Sequence, residues 1–246
     1  TPSLLPTPLK LIFITENEQE TFNRLAPANE KKSVIYNIAV PEKADPHTRI
    51  PNDNQFKIAC LSNFAWVRGV DRTAEIALAL RTYGRRDIQF IMAGDMTLPR
   101  SLPGELGKIA RTGGSFQDYV EQVGVSDMFL FLGHVPDPER VLASCNALIK
   151  PTREANPWGR DILETFAAGK PVISVGTYDT FVKDRVTGVL LEKFDAAKMA
   201  RRIADLADNP EVAKRLGQAG LKQVMHLCDG ASRAQDLLDI WEEIAN

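Results

Sequence analysis

Cysteine is scarce: Cys60, Cys145 and Cys228 are the only three among 246 residues, at no spacing that suits a metal. Each lies in an apolar stretch where a small buried thiol fits, and an odd set of this kind points to a reducing compartment rather than a disulfide framework. An excess of positive charge is also lacking. Against 30 lysines and arginines stand 32 acidic residues, so no basic face is offered to nucleic acid. No apolar run approaches the roughly 18 residues of a spanning helix, so no transmembrane segment is expected. Residues 1–15 carry neither a basic start nor a small-residue cleavage site. The first residue is Thr1, which is read as a trimmed start. There is no internal repeat, low-complexity tract, D-x-D pair or His/Cys cluster of ligand spacing, which leaves no metal site to assign.

What the sequence does have is a globular composition, 44% hydrophobic over 246 residues, enough for a core that needs no disulfide or metal staple. Leu11–Ile14 followed by the polar stretch Glu16–Leu25 predicts a strand and a helix, and Ser33–Tyr36 a further short strand. Pro41, Pro46 and Pro51 then punctuate a polar stretch, so 41–55 is expected to be a linker. From Phe56 apolar runs alternate with helical stretches, the signature of a parallel sheet covered on both faces. The strand candidates are Lys57–Leu61, Ile88–Ala93, Met128–Leu132, Ala147–Lys150, Pro171–Val175 and Gly188–Leu191. Helices are expected at Asp71–Tyr83, Phe116–Val123, Pro138–Ser144, Arg160–Ala168 and Asp179–Asp184. Beyond Phe194 the strands stop, and Met199, Ile203 and Leu206, then Leu237, Trp241 and Ile244, recur at helical spacing. The fold class is therefore α/β: a doubly wound parallel sheet over 56–194 and a helical tail over 195–246.

Ligands of such a sheet bind beyond the carboxyl ends of its strands, which directs attention to the strand-to-helix junctions. The first junction, Ser62–Asp71, holds Arg68 and Gly69 beside a helix start, a fixed charge and a flexible backbone that suit a diphosphate. Taken alone it is better explained as a turn with a solvated arginine and Asp71 as helix cap. In the second, Phe131-Leu132-Gly133-His134-Val135, backbone groups of Leu132 and Gly133 could meet the edge of a nucleobase, although turn geometry explains the glycine equally well. His134 is read as a packing or hydrogen-bonding histidine rather than an acid or base. The third is the most informative. From Pro151 the chain runs through Asn156, Pro157, Trp158 and Gly159 into a helix starting near Arg160, whose first amides face the ligand side. Glu164, one turn further in, can accept hydrogen bonds from the two hydroxyls of a ribose. Its apolar neighbours Leu163 and Phe166 favour partial burial over a glutamate facing solvent.

In order and spacing, F-L-G-H-V, P-W-G-R-D-I-L-E, A-A-G-K-P-V-I and T-G-V-L-L resemble the carboxyl-terminal, donor-binding domain of retaining GT-B glycosyltransferases, family 4 of the glycosyl transferases group 1. The resemblance runs from Ile58 to Leu191. Residues 1–40 resemble the last strand and helix of the family's first domain and its crossover, with Asn37 at the crossover asparagine, and the bulk of that domain is expected to be missing. The resemblance implies a Rossmann-like nucleotide-sugar domain with a nucleoside diphosphate sugar, of UDP or GDP type, as substrate. It implies no cofactor and no metal. It implies front-face hexosyl transfer with retention to a saccharide or lipid-linked acceptor, which binds through the missing domain, so that the fragment alone is inactive. A cytoplasmic setting is implied, or one peripheral to the inner membrane, in polysaccharide or glycolipid synthesis.

Carried residue by residue, the resemblance sets Arg68 where the family has a diphosphate-binding lysine, and Asn63 where it has an arginine sharing that role. The family's paired glutamates fall on Asn156 and Glu164, the latter the ribose ligand. Arg68, Asn156 and Glu164 are thus the catalytic candidates. Asn63, Gly69, Leu132, Gly133, Pro157, Trp158, Gly159 and Arg160 join them as donor-binding candidates, the amides of Trp158, Gly159 and Arg160 matching those that bind sugar or phosphate. Arg160 and Lys150 could replace the charge lost at Asn63, and Glu154 the carboxylate lost at Asn156. These departures keep a second reading open, a nucleotide-sugar-binding module without transfer, and an epimerase of the same architecture is the third.

Overall fold

Apolar runs assemble into a six-stranded sheet whose four inner strands are buried nearly throughout on both faces, as parallel strands between helical layers must be, while the two edge strands are partly exposed. A computed structural model describes residues 10–25, 32–41, 43–154 and 157–245. Its elements are β1 (Leu11–Phe13), α1 (Glu16–Leu25), β2 (Lys32–Val34), β3 (Phe56–Leu61), α2 (Arg72–Thr82), β4 (Ile88–Ala93), α3 (Gly104–Arg111), α4 (Phe116–Gln122), β5 (Phe129–Gly133), α5 (Pro138–Ala143), β6 (Ala147–Lys150), α6 (Arg160–Ala167), β7 (Val172–Val175), β8 (Gly188–Leu191), α7 (Ala196–Asp208), α8 (Pro210–Leu227) and α9 (Gly230–Ala245). The chain divides into two compact units, Thr1–Val40 with Val224–Asn246, and Pro41–Gln223.

In the larger unit the strand order is β5-β4-β3-β6-β7-β8, every pairing parallel. Counted from β3, this is the doubly wound order 3-2-1-4-5-6. Alternate residues divide between the faces. Ile58, Cys60, Phe90, Met92, Ile149 and Ile173 join one core cluster with α2, α3, α4 and α7. Ala59, Ile91, Leu148 and Val172, equally buried, lie on the other face, where α5 and α6 bring Val141, Leu142, Ile162 and Phe166. Phe90 is fully buried and stacks on Phe129 with ring centroids 5.1 Å apart.

Four of the five helices expected in this region are present. The fifth, over 179–184, is an irregular loop. Phe181 and Val182 are successive yet both fully buried, and the Thr187 hydroxyl donates to the Phe181 carbonyl while accepting from the Lys183 amide. Tertiary burial and a local hydroxyl have replaced the helical ladder. Helix α3 was not anticipated, because Gly104 and Gly107 weaken its pattern. Residues 41–55 form no helix or strand among the described positions.

In the smaller unit β1 and β2 pair in parallel, with α1 as the connection. The Tyr36 hydroxyl donates to the Glu16 carboxylate, and burial with that carboxylate holds the phenol well above its ordinary pKa.

Phe90→Ala is expected to lower stability by about 3–5 kcal/mol, measured by urea unfolding; a loss below about 1 kcal/mol would contradict its place in the core.

Candidate functional site

The strand order turns at β3: β4 and β5 lie to one side, β6 to β8 to the other. Loops leaving the carboxyl ends of β3 and β6 part there, which is where an open α/β sheet offers a crevice. The chain has a cleft of about 500 Å³ at that point, lined by Ser62, Asn63 and Arg68 after β3, Lys150 at the end of β6, Glu154, and Trp158 to Asp161 with Glu164 at the head of α6. Gly94, His134 and Val135 complete it from β4 and β5.

The two loops that flank the crevice are locked together. Gly69, at φ 70°, packs so close to β6 that a Cβ there would stand 2.0 Å from the Pro151 carbonyl oxygen, so only glycine fits. Arg72 donates to the carbonyls of Pro151 (2.9 Å) and Thr152 (2.7 Å). Arg153 forms a bidentate pair with Asp71 at 2.7 and 2.6 Å and lies over the Trp66 ring, 3.5 Å from its centroid. Asp71, expected as a helix cap, stands at the cap position of α2 but makes no side-chain cap; with its side chain only 6% exposed, it serves Arg153 instead.

The opposite wall is the amino end of α6. Gly159 precedes it at φ 150°, and a Cβ there would fall 2.5 Å from both the Lys150 Nζ and the Asp161 carboxylate. That space is needed because Lys150 donates to Asp161 (2.8 Å) and to the Trp158 carbonyl (2.6 Å), anchoring the loop to the sheet. Arg160 reaches one turn along the helix and donates to Glu164 at 2.8 Å. Beneath the cleft, burial pushes the Cys60 thiol up to about 12, so it is no nucleophile at neutral pH. All three cysteines are buried.

The structure thus gathers Arg68, Asn63, Trp158, Gly159, Arg160 and Glu164 around one cleft, with Glu154 beside them. Arg68 donates to the Ser62 hydroxyl at 3.2 Å. The Asn63 side-chain oxygen accepts from the Asp95 amide at 2.8 Å, so it ties the β3 loop to the β4 loop. Gly69 and the buried Pro157 shape the walls without lining the space. Asn156 lies outside the described residues. Leu132 and Gly133 line a neighbouring cleft of about 510 Å³ that shares Gly94 and His134 with the first. Their carbonyls are already engaged: Arg49 donates to Leu132 at 2.7 Å, and Gly94 to Gly133 at 2.8 Å. Arg49 was missed, since it lies in a proline-punctuated stretch read as linker; Arg72, Arg153 and Asp71 were missed as a clamp for want of any local signal. Among the described residues no group of three or more His, Cys, Asp or Glu side chains is placed to hold a metal ion, and no helix is long and apolar enough to cross a membrane.

The family profile described as Glycosyl transferases group 1 matches residues 42–223. EpsD of Bacillus subtilis is 28% identical over 130 residues, 52% of this chain and 33% of its own length. The D-inositol 3-phosphate glycosyltransferase of Streptomyces coelicolor is 30% identical over 110 residues, 43% of this chain and 24% of its own. The match therefore spans a third or less of these relatives. HepE of Anabaena, solved in complex with UDP, superposes with a TM-score of 0.80 at 20% identity, covering 96% of this chain and 64% of that one. At that identity the likeness is one of fold.

Arg153→Ala strands the Asp71 carboxylate in a buried setting and is expected to cost about 3 kcal/mol, read by urea unfolding. Exchanging both partners, Asp71→Leu with Arg153→Met, recovers most of that loss; an equal loss in both proteins would show that the clamp does not act through its ion pair.

Proposed function

The chain belongs to the glycosyl transferases group 1 family, with the Rossmann-like domain of the GT-B fold, and on that premise we propose that its cleft holds the nucleoside diphosphate sugar of a retaining, family 4 hexosyltransferase. The observation that carries this reading is the meeting of Arg68, the amino end of α6 and Glu164 around one cleft at the turn of the strand order. In it the diphosphate lies between Arg68 and the first amides of α6, where guanidinium and helix dipole oppose the charge that grows as the diphosphate leaves. Glu164 accepts hydrogen bonds from the ribose hydroxyls, and the base lies toward His134 and the second cleft. The acceptor attacks from the face the diphosphate departs, so the anomeric configuration is retained. The acceptor, a saccharide or a lipid-linked sugar, is bound by the domain to which residues 1–40 belong, with 41–55 as linker and 195–246 as tail. The HepE complexes with UDP and with UDP-glucose favour a uridine donor. No cofactor or metal enters the scheme, and the setting is cytoplasmic or at the inner membrane surface.

A binding module without transfer is the second reading. It is favoured by Asn63, whose amide oxygen is held by the Asp95 backbone. Sugar transfer by a chain carrying its acceptor domain would exclude it.

Calorimetric titration with UDP, GDP and ADP, each alone and as a sugar conjugate, is expected to give binding of one nucleotide. Glu164→Ala is expected to weaken it at least tenfold, the scale of a lost hydrogen bond to a charged group. Unchanged binding in a folded Glu164→Ala protein would remove the ribose from this carboxylate.

A further inference from the structure

Arg160 opens α6, and the helix macrodipole disfavours a cation at that end. Its order relative to Glu164, cation first and carboxylate four residues later, is also the weaker arrangement of a helical ion pair. The Arg160 side chain is 82% exposed and that of Glu164 33%, so water screens the contact and it is held by little. Lys150, by contrast, is 12% exposed and grips both Asp161 and the Trp158 carbonyl. Arg160 is therefore a cation in an unfavourable place, on a loosely held partner, beside a cleft whose opposite wall carries Arg68. A bound anion would relieve the first and replace the second.

Resting on the donor-site reading above, we propose that Arg160 and Glu164 exchange partners when a nucleoside diphosphate binds. Arg160 leaves the carboxylate for the diphosphate, and the carboxylate so released takes the ribose hydroxyls. Phosphate recognition and ribose recognition are thereby coupled through one side-chain movement. A nucleoside without phosphates has to part the pair and gives the guanidinium no anion in return; a nucleoside diphosphate gives it one. Arg160 is then a diphosphate ligand that selects diphosphates over nucleosides, and Glu164 is paired until such a ligand arrives.

The exchange makes a prediction of opposite signs that a merely structural role for Arg160 does not. The chain and its Arg160→Ala and Arg160→Gln variants are titrated with UDP and uridine, and with GDP and guanosine alongside. For the base that binds, each variant is expected to hold the diphosphate about tenfold more weakly, having lost a charge-assisted hydrogen bond. Each is expected to hold the nucleoside roughly twofold more tightly, because the carboxylate no longer has to be freed from an exposed ion pair. In a Glu164→Gln background the gain for the nucleoside disappears, the non-additivity that marks a direct coupling. Parallel loss for both ligands, or no change in either, overturns the exchange while leaving diphosphate binding by the unaltered chain, and so the donor site, in place. Absence of binding of any of these ligands to the unaltered chain overturns the donor site and the exchange together.

Discussion

A parallel sheet whose first strand lies in its middle sends its crossovers to opposite sides, and the loops beyond the two central strands must part. In this chain the parting is held to a fixed width by the contact of Gly69 with the Pro151 carbonyl, a fit that leaves no room for a side chain. Arg72 reaches across from α2 to the same carbonyl and its neighbour, and the Arg153–Asp71 pair closes the bridge from the other loop. Arg68 sits on the loop so held, one residue before the glycine. Its position relative to α6 therefore derives from backbone packing rather than from the arginine itself.

Charge in the cleft is balanced within the protein. Arg68, Lys150 and Arg160 line it together with Glu154, Asp161 and Glu164. Of the three cations, Lys150 and Arg160 already hold carboxylates, Asp161 and Glu164 respectively. The two engaged cations differ in kind. Lys150, nearly covered and tied to a backbone carbonyl, sets the loop before α6 in place; Arg160 is mostly in water and holds only Glu164. The amides of α6 add a positive end that needs no counter-ion from the chain.

Much of the sheet was legible because buried parallel strands are plain apolar runs. Ile88–Ala93, Ala147–Lys150 and Gly188–Leu191 have the bounds that the pattern predicts. The helix expected over 179–184 was not legible as a loop, since the burial of Phe181 and Val182 is decided by the body they pack into and not by their neighbours in sequence. The site divides along the same line. Arg68, Trp158, Gly159, Arg160 and Glu164 could be found from local motif order, and they share one cleft. The contacts Asn63 to Asp95, Arg153 to Asp71 and Arg49 to Leu132 join residues 32, 82 and 83 positions apart, and no short pattern announces them. Each of those contacts fixes a loop, and Asn63 both makes one of them and lines the cleft.

If a nucleotide is held between the loop after β3 and the head of α6, amide hydrogen exchange of the chain with and without saturating UDP will show protection gained only in residues 62–70, 133–135 and 158–164. Protection centred instead on the opposite end of the sheet, at the cleft lined by Lys170 and Lys214, would contradict it.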